Sequence, residues 1–370
     1  MTKIAIVFDD PDIEGQTFVH YHISNLFRGE TAVITRKKSN SKSIEKPHLV
    51  YSKISKGFPK ALLSVFSRVR RSRQFQEFTE KNNIGYVLAE FGYSGLLIYE
   101  DAVRLNLPTF VYFRGADASS WLNSQKYVRR LQTMMGSIDG VFAVSQSLLD
   151  NLHAHGIVHA NEHVQSSGVD TAAFAPGKKD PNLIASVGRF IGKKGHKISI
   201  GAFSRACESY PDLRLEIVGD GELLEACKVQ AERRGISHRV IFHGAKNHDF
   251  VRDLLARSSI YLQHSVTDRR SETEGIPTAL QEAMSCGNAV ISTLHAGIPE
   301  HVSDGENGLL VNEHDREAYV EKLQLLLRDD KLRTRLGANA RAYAIERLDK
   351  RISIASIEAI VTGGGAGAGS

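Results

Sequence analysis

Short apolar runs alternate with longer amphipathic stretches along most of the chain. KIAIVF (3–8), TAVITR (31–36), IGYVLAE (84–90), PTFVYFRG (108–115) and GVFAVS (140–145) are nearly continuous apolar runs, the form of strands covered on both faces. Stretches with helical spacing follow them. This alternation predicts βαβ units and a parallel sheet. FAPGKKDPN (174–182), with two prolines, a glycine and three charges, reads as a linker. The pattern then restarts with LIASVGRF (183–190), LRLEIVG (213–219), RVIFHG (239–244), SIYLQHS (259–265) and NAVIST (288–293), and 314–361 is helical in character.

The fold class is therefore α/β: two Rossmann-like, doubly wound parallel-sheet domains. The expected division is an N-terminal acceptor-binding domain (1–174), a C-terminal donor-binding domain (175–345), a helix at 346–362 that packs back on the N-terminal domain, and a flexible tail (363–370). Open parallel sheets bind ligands outside the carboxyl ends of their strands. Two such domains facing a cleft would hold a nucleotide on one side and an acceptor on the other.

A length of 370 residues suits two domains, and 42% hydrophobic with 24% charged residues is the make-up of a soluble globular protein. Cys207, Cys227 and Cys286 have neither metal-ligand spacing nor an even count and fit three buried thiols in a reducing cytosol. MTKIAIVFDD turns acidic by residue 9 and does not read as a signal peptide. No apolar run reaches the roughly 18 residues of a membrane span.

Charge changes this picture at one place. Residues 36–73 hold twelve basic residues against one acid, Glu45, a net +11 in a chain whose total is +5. From Phe58 to Phe75, Phe58, Leu62, Phe66 and Val69 recur at helical spacing beside Arg68, Arg70, Arg71 and Arg73. A basic amphipathic helix of this kind suits an anionic membrane surface, or else a solvated face over a core stripe. Nucleic acid is disfavoured, because aromatic interleaving and a binding motif are absent.

Candidate chemistry lies in the second half. In SVGRFIGKKGH (186–196), Arg189 and Lys194 flank a loop between a strand and a helix. Two cations beside a helix N-terminus suit a diphosphate, although an ordinary solvated loop has the same appearance. In VGDGE (218–222), Gly219 and Gly221 permit close backbone approach to a ligand or simply make a tight turn. In EGIPTALQEAM (274–284), Pro277 sits where a helix would have its first residue, and Glu274 and Glu282 lie on neighbouring positions among apolar residues. Ionised carboxylates are acceptors matched to sugar hydroxyls, and acids also stabilise helix N-termini.

These residues carry a resemblance. EGIPTALQE matches the E-x7-E pattern of retaining glycosyltransferase family 4, which has the GT-B fold, and residues 274–311 resemble that family's donor-binding signature throughout. VGRFIGKKG resembles its diphosphate-binding arginine and lysine, and GQTFVHYHI (15–23) is similar to its loop after the first strand. EGIP and HAGIPE look most like the bacterial exopolysaccharide and colanic-acid type. The resemblance implies that Arg189 and Lys194 bind the donor pyrophosphate, Glu274 contacts the sugar, and Glu282 holds the nucleotide ribose. Gly275, Ile276, Pro277, Thr278 and Gly219 would lie against the donor, and Gly15 and Gln16 would close over its phosphates.

It further implies retention of anomeric configuration with no metal or cofactor. The donor would be a nucleotide-sugar, most simply a UDP-sugar, and the acceptor a glycan or lipid-linked saccharide. The expected location is cytoplasmic, with peripheral attachment at the inner face of the plasma membrane offered by the basic segment.

The chain departs from the family at YFRGAD (112–117), where Arg114 replaces a histidine common in the family while Asp117 remains; both are candidate acceptor or sugar contacts. Ser167 replaces the usual asparagine before GVD. A noncatalytic sugar-nucleotide or polysaccharide-binding protein and a nucleotide-sugar epimerase of the same fold are the alternatives. Asp10-x-Asp12, HYH (20–22) and HAH (153–155) read as turn acids and ordinary histidines rather than metal ligands.

Overall fold

The computed structural model describes residues 2–12, 17–38, 44–51, 60–268 and 273–363, with the backbone alone for 60–68. The chain forms two compact units. One runs to residue 165, apart from 145–147, and takes up the chain again at 354; the other comprises 145–147 and 166–353.

The first unit holds β1 (Lys3–Phe8), β2 (Thr31–Thr35), β3 (His48–Val50), β4 (Ile84–Glu90), β5 (Thr109–Phe113), β6 (Gly140–Ala143) and β7 (Glu162–Val164). They pair in parallel in the order β3-β2-β1-β4-β5-β6-β7. The five runs seen in the sequence are the five central strands, and their residues are almost wholly buried, which is why they lack polar alternation. The two edge strands, β3 and β7, are only three residues long and half-exposed. They gave no apolar run and were not expected. Ile354, Ile357 and Val361 of the helix Lys350–Val361 belong to this unit's core, and Glu358 accepts a hydrogen bond from the Phe27 N–H.

The second unit holds β8 (Asp180–Val187), β9 (Arg214–Val218), β10 (Val240–Phe242), β11 (Ser258–Leu262), β12 (Ala289–Thr293) and β13 (Leu309–Val311). Their parallel order is β10-β9-β8-β11-β12-β13. Its core has two parts, one on each face of the sheet. Val169 and Phe174 already lie in that core, so the second unit begins ahead of the 174–182 segment that reads as a linker. β8 starts within that segment, at Asp180. The strand order reverses at β1/β4 in the first sheet and at β8/β11 in the second. At such switch points neighbouring loops diverge and leave room for a ligand.

Candidate donor site in the second unit

The chain leaves β8 at Val187 and turns through Gly188–Gly195 before the helix His196–Ala206. Gly195 has φ +64°, and a Cβ there would stand 1.8 Å from the His264 carbonyl oxygen. The β8 loop can therefore lie on the β11 loop only with glycine at this position. The Val266 N–H donates to the Lys193 carbonyl at 3.0 Å and ties the same two loops. Gly219, at φ +144°, would bring a Cβ within 1.9 Å of the Gly188 oxygen, and the Phe190 N–H donates to the Asp220 carbonyl at 2.8 Å. Gly219 thus serves the contact between two loops. Buried His196, held neutral by desolvation with its pKa lowered to about 4, bonds the Gly188 carbonyl through Nε2 at 3.1 Å. It fixes the loop that carries Arg189.

This packing brings Lys194 to Glu274. Lys194 Nζ lies 3.1 Å from Glu274 Oε1, with the two side chains only 12% and 10% exposed. Lys193 Nζ is 3.8 Å from the same oxygen and donates to the Thr273 carbonyl at 3.3 Å. Burial raises the Glu274 pKa, but Lys194 and then Lys193 outweigh it and hold the carboxyl below its ordinary range. Burial lowers the Lys194 pKa, Glu274 opposes this, and Lys193 and Arg189 add to it. Two buried ammonium groups and the exposed Arg189 are therefore set against one carboxylate. The surplus positive charge lies beside the start of a helix, an arrangement that favours an anion. Lys193 was not singled out in the sequence; the only signal was its adjacency to Lys194.

Glu274 is anchored from behind. Its backbone N–H donates to His295 Nε2 at 3.0 Å, and His295 Nδ1 is 2.7 Å from Glu313 Oε1. Since Nε2 accepts, Nδ1 carries the proton and donates it to Glu313. Glu313 also accepts from the Thr267 N–H at 2.7 Å. Neither His295 nor Glu313 was expected to act here.

The helix Thr278–Ser285 begins one residue later than Pro277, which is its N-cap rather than its first residue. Gly275 and Pro277 are buried, Ile276 is half-buried and Thr278 is exposed on the first turn. Glu282 is buried on this helix, and desolvation pushes its pKa up to about 8. The nearest basic group is the exposed His248, whose Nδ1 lies 3.7 Å away. Burial thus favours the protonated form of Glu282, which can donate as well as accept.

Other candidates are placed in the first unit. The Arg114 guanidinium is buried, with Nε 2.7 Å and Nη2 2.6 Å from Glu90 Oε2. It lies over the Phe18 and Tyr112 rings at 3.9 and 3.7 Å. Glu90 is also 2.5 Å from His22 Nδ1. Burial raises the Glu90 pKa, but Arg114 and His22 pull it below the usual carboxylate range. In this structure the Arg114 charge is matched by Glu90 within the first unit. Buried Asp117 accepts from the Gly92, Arg114 and Gly115 N–H groups and organises the loop after β5. Asp10 accepts from the Asp12 N–H and pairs with Lys37 at 2.8 Å, as a turn acid does. Gly15 and Gln16 lie outside the described residues.

Residues 170–343 match the family described as glycosyl transferases group 1. The matched residues lie within the second unit. WcaL of Escherichia coli (strain K12), provisionally named a colanic acid biosynthesis glycosyltransferase, is 31% identical over 64% of this chain and 60% of its own length. AmsK of Erwinia amylovora, named an amylovoran biosynthesis glycosyltransferase, is 27% identical over 63% and 59%. The chain thus spans less than two thirds of the length of these relatives. Among solved structures, Anabaena Alr3699/HepE in complex with UDP-glucose has a TM-score of 0.80 at 19% identity, covering 98% of this chain and all of the other. Sucrose-phosphate synthase from Thermosynechococcus elongatus has 0.79 at 16%, covering 99% and 100%. The α/β fold of two Rossmann-like units is shared with these GT-B proteins.

Proposed function

We propose that the protein is a retaining glycosyltransferase. It moves a hexose from a nucleotide-sugar, most simply a UDP-sugar, to a saccharide or lipid-linked acceptor in exopolysaccharide synthesis. The observation that carries this reading is the surplus of cations around Glu274 at the mouth of the β8 and β11 loops. A departing nucleoside diphosphate develops negative charge, and preorganised buried cations stabilise it more strongly than water does. Arg189, Lys193 and Lys194 would take the diphosphate, Glu274 the sugar hydroxyls and Glu282 the ribose. The leaving phosphate would help remove the acceptor proton on the same face of the sugar, a route that requires no metal or cofactor. The group 1 match and the named relatives support the class of reaction.

Within this proposal the basic segment holds the enzyme at an anionic membrane surface. Among the described residues no helix is long and apolar enough to cross a membrane. A thermal-shift panel of nucleotide-sugars, followed by a product assay with the stabilising donor, tests the proposal. The expected result is one stabilising donor whose nucleotide is released with its sugar transferred in the original anomeric configuration. An inverted product would overturn the retaining assignment, and no donor binding would overturn the reading as a whole.

A further inference from the structure

Three helices of the second unit, His196–Ala206, Leu224–Arg233 and Arg316–Arg328, pack side by side over one part of its core. Phe203, Cys227 and Tyr319, one from each helix, are buried there together. The outer surfaces of the same helices form a cavity of about 370 Å³, whose lining includes Lys197, Arg205, Arg234, Arg316 and Glu317. None of the residues assigned to the donor lines it. We infer that this cavity is a second anion site, which takes a compact phosphate-bearing molecule of at least two negative charges. The inference does not depend on the proposed function.

Four cations here face one acid. Glu317 is engaged by Arg205, with which it pairs, so Lys197, Arg234 and Arg316 form a surplus. None of these three has an ion-pair partner among the described residues. Neighbouring acids are committed elsewhere. Asp315 caps its own helix by accepting from the Ala318 N–H at 3.0 Å, and Glu208 and Glu321 act on Arg205 from outside the lining. Apart from residues 36–73 the chain is net negative, so this local surplus is not the background of its composition. Like charges gathered round one depression repel, and an anion bound among them offsets that repulsion.

The shape of the lining selects the ligand. Gln230 Nε2 donates to the Lys197 carbonyl at 2.8 Å, which ties the second helix to the first and sets the spacing of the backbones that carry Arg234 and Lys197. Gly201 forms the floor between them. A Cβ there would stand 3.8 Å from Arg234 Nη2 and 3.8 Å from Gln230 Nε2, so both nitrogens border the space that a side chain would fill. Glycine inside a helix is unfavourable relative to alanine, and here it leaves that space open. Three of the four cations are arginines, whose forks of N–H donors match phosphate oxygens in pairs. A phosphate carries oxygens on all sides and can meet cations from three helices, whereas a carboxylate presents two oxygens in one plane. The volume lies at the lower end of the roughly 300–1,000 Å³ of small-molecule sites. The cations line a depression rather than a flat face, which favours a compact ligand over a membrane surface.

Full-length Lys194→Ala protein, in which the donor site is weakened, would be titrated with sodium pyrophosphate by calorimetry at constant ionic strength. One saturable site is expected. Adding Arg234→Gln and Arg316→Gln to that protein should weaken it at least about tenfold, the loss of charge-assisted contacts. Gly201→Met, added instead, should weaken it as much by filling the floor while every charge in the lining is retained. Far-ultraviolet circular dichroism should be unchanged, because Arg234 and Arg316 are exposed and methionine favours a helix more than glycine does. If Gly201→Met does not fold, the two arginine substitutions decide alone. Unchanged pyrophosphate affinity in the arginine variant overturns the inference. A loss there with none in folded Gly201→Met would show diffuse attraction to surface charge and also overturns it. So does the absence of a saturable site in the Lys194→Ala protein, or binding of phosphatidylglycerol vesicles in place of pyrophosphate. Failure of donor binding by the wild type removes the proposed function and leaves this inference to its own variants.

Discussion

Lys194 Nζ stands 3.1 Å from Glu274 Oε1, and both groups are nearly out of contact with water. Such a pair needs excellent geometry or a further partner to offset its desolvation. Here Lys193 approaches the same oxygen. Lys194→Ala should therefore leave the fold intact, because Glu274 keeps a cation beside it. The variant should bind the donor at least about tenfold more weakly, the loss of one charge-assisted contact. Calorimetry with the stabilising nucleotide-sugar measures the affinity and far-ultraviolet circular dichroism the fold. Undiminished affinity would remove Lys194 from the site.

Glu282 gives a pH signature. Its folded pKa, raised to about 8 by burial, lies above the roughly 4.3 of an exposed glutamate. Between these values the folded state holds a proton that the unfolded state has lost. This group's contribution to stability is thus fully present below about pH 4 and declines as pH rises through 8. Replacing Glu282 by Gln removes the titration. Relative to wild type, the variant should gain stability on going from pH 5 to pH 8, by on the order of a few kcal/mol. Urea melts at the two pH values measure it, and parallel pH dependences for the two proteins would count against a protonated Glu282.

The Glu313–His295 pair holds the Glu274 backbone. His295→Ala strands the Glu274 N–H in a buried site, at a cost of about 1–3 kcal/mol. Thermal melting should show the loss, and donor affinity should fall with it. Glu313→Gln retains a hydrogen-bond acceptor for His295 and should cost less than His295→Ala. Equal losses in the two variants would contradict the assigned tautomer.

Two glycines with similar backbone angles separate conformation from crowding. Gly195 and Gly235 have φ +64° and +67°. Gly235→Ala meets only the left-handed backbone penalty, about 1–2 kcal/mol. Gly195→Ala drives a Cβ into the His264 carbonyl and should lower the melting temperature further and weaken donor binding. Equal melting temperatures for the two variants would show that the loops separate easily.

The basic helix Lys60–Lys81 is divided in its exposure. Arg70 and Arg73 are exposed, with Arg73 paired to Glu77 at 2.8 Å. Arg71 lies over the Tyr51 ring at 5.3 Å, and the Arg68 side chain is outside the described residues. Neutralising Arg70 and Arg73 together should reduce binding to phosphatidylglycerol vesicles at low salt, by about 1 kcal/mol per residue. Arg71→Ala should have the smaller effect on binding. Unchanged vesicle binding in the double variant would remove this helix from membrane attachment.

Much of the molecule was legible in one dimension. Strands buried on both faces have to be continuously apolar, so β1, β2, β4, β5, β6, β8, β9, β11 and β12 stood out. The three-residue edge strand β10 stood out as well, because its side chains are apolar although Ile241 is exposed. The three-residue strands β3, β7 and β13 did not, because so short a run is too brief to show a period. Arg189, Lys194, Glu274 and Glu282 were visible through their motifs, since glycine and proline mark the turns and charged residues interrupt apolar context. His295, Glu313 and Lys193 were not, because their roles depend on which side chains meet.

The sequence by itself determined the two alternating α/β halves, the loops that end in glycine and the residue types available for binding an anion. Tertiary structure alone decided that Lys193 and Lys194 converge on Glu274, that burial raises the pKa of Glu282, and that Arg114 is matched by Glu90. Periodicity is a property of neighbouring residues and survives in the string. Desolvation and ion pairing depend on groups far apart in the chain, and only folding sets those distances.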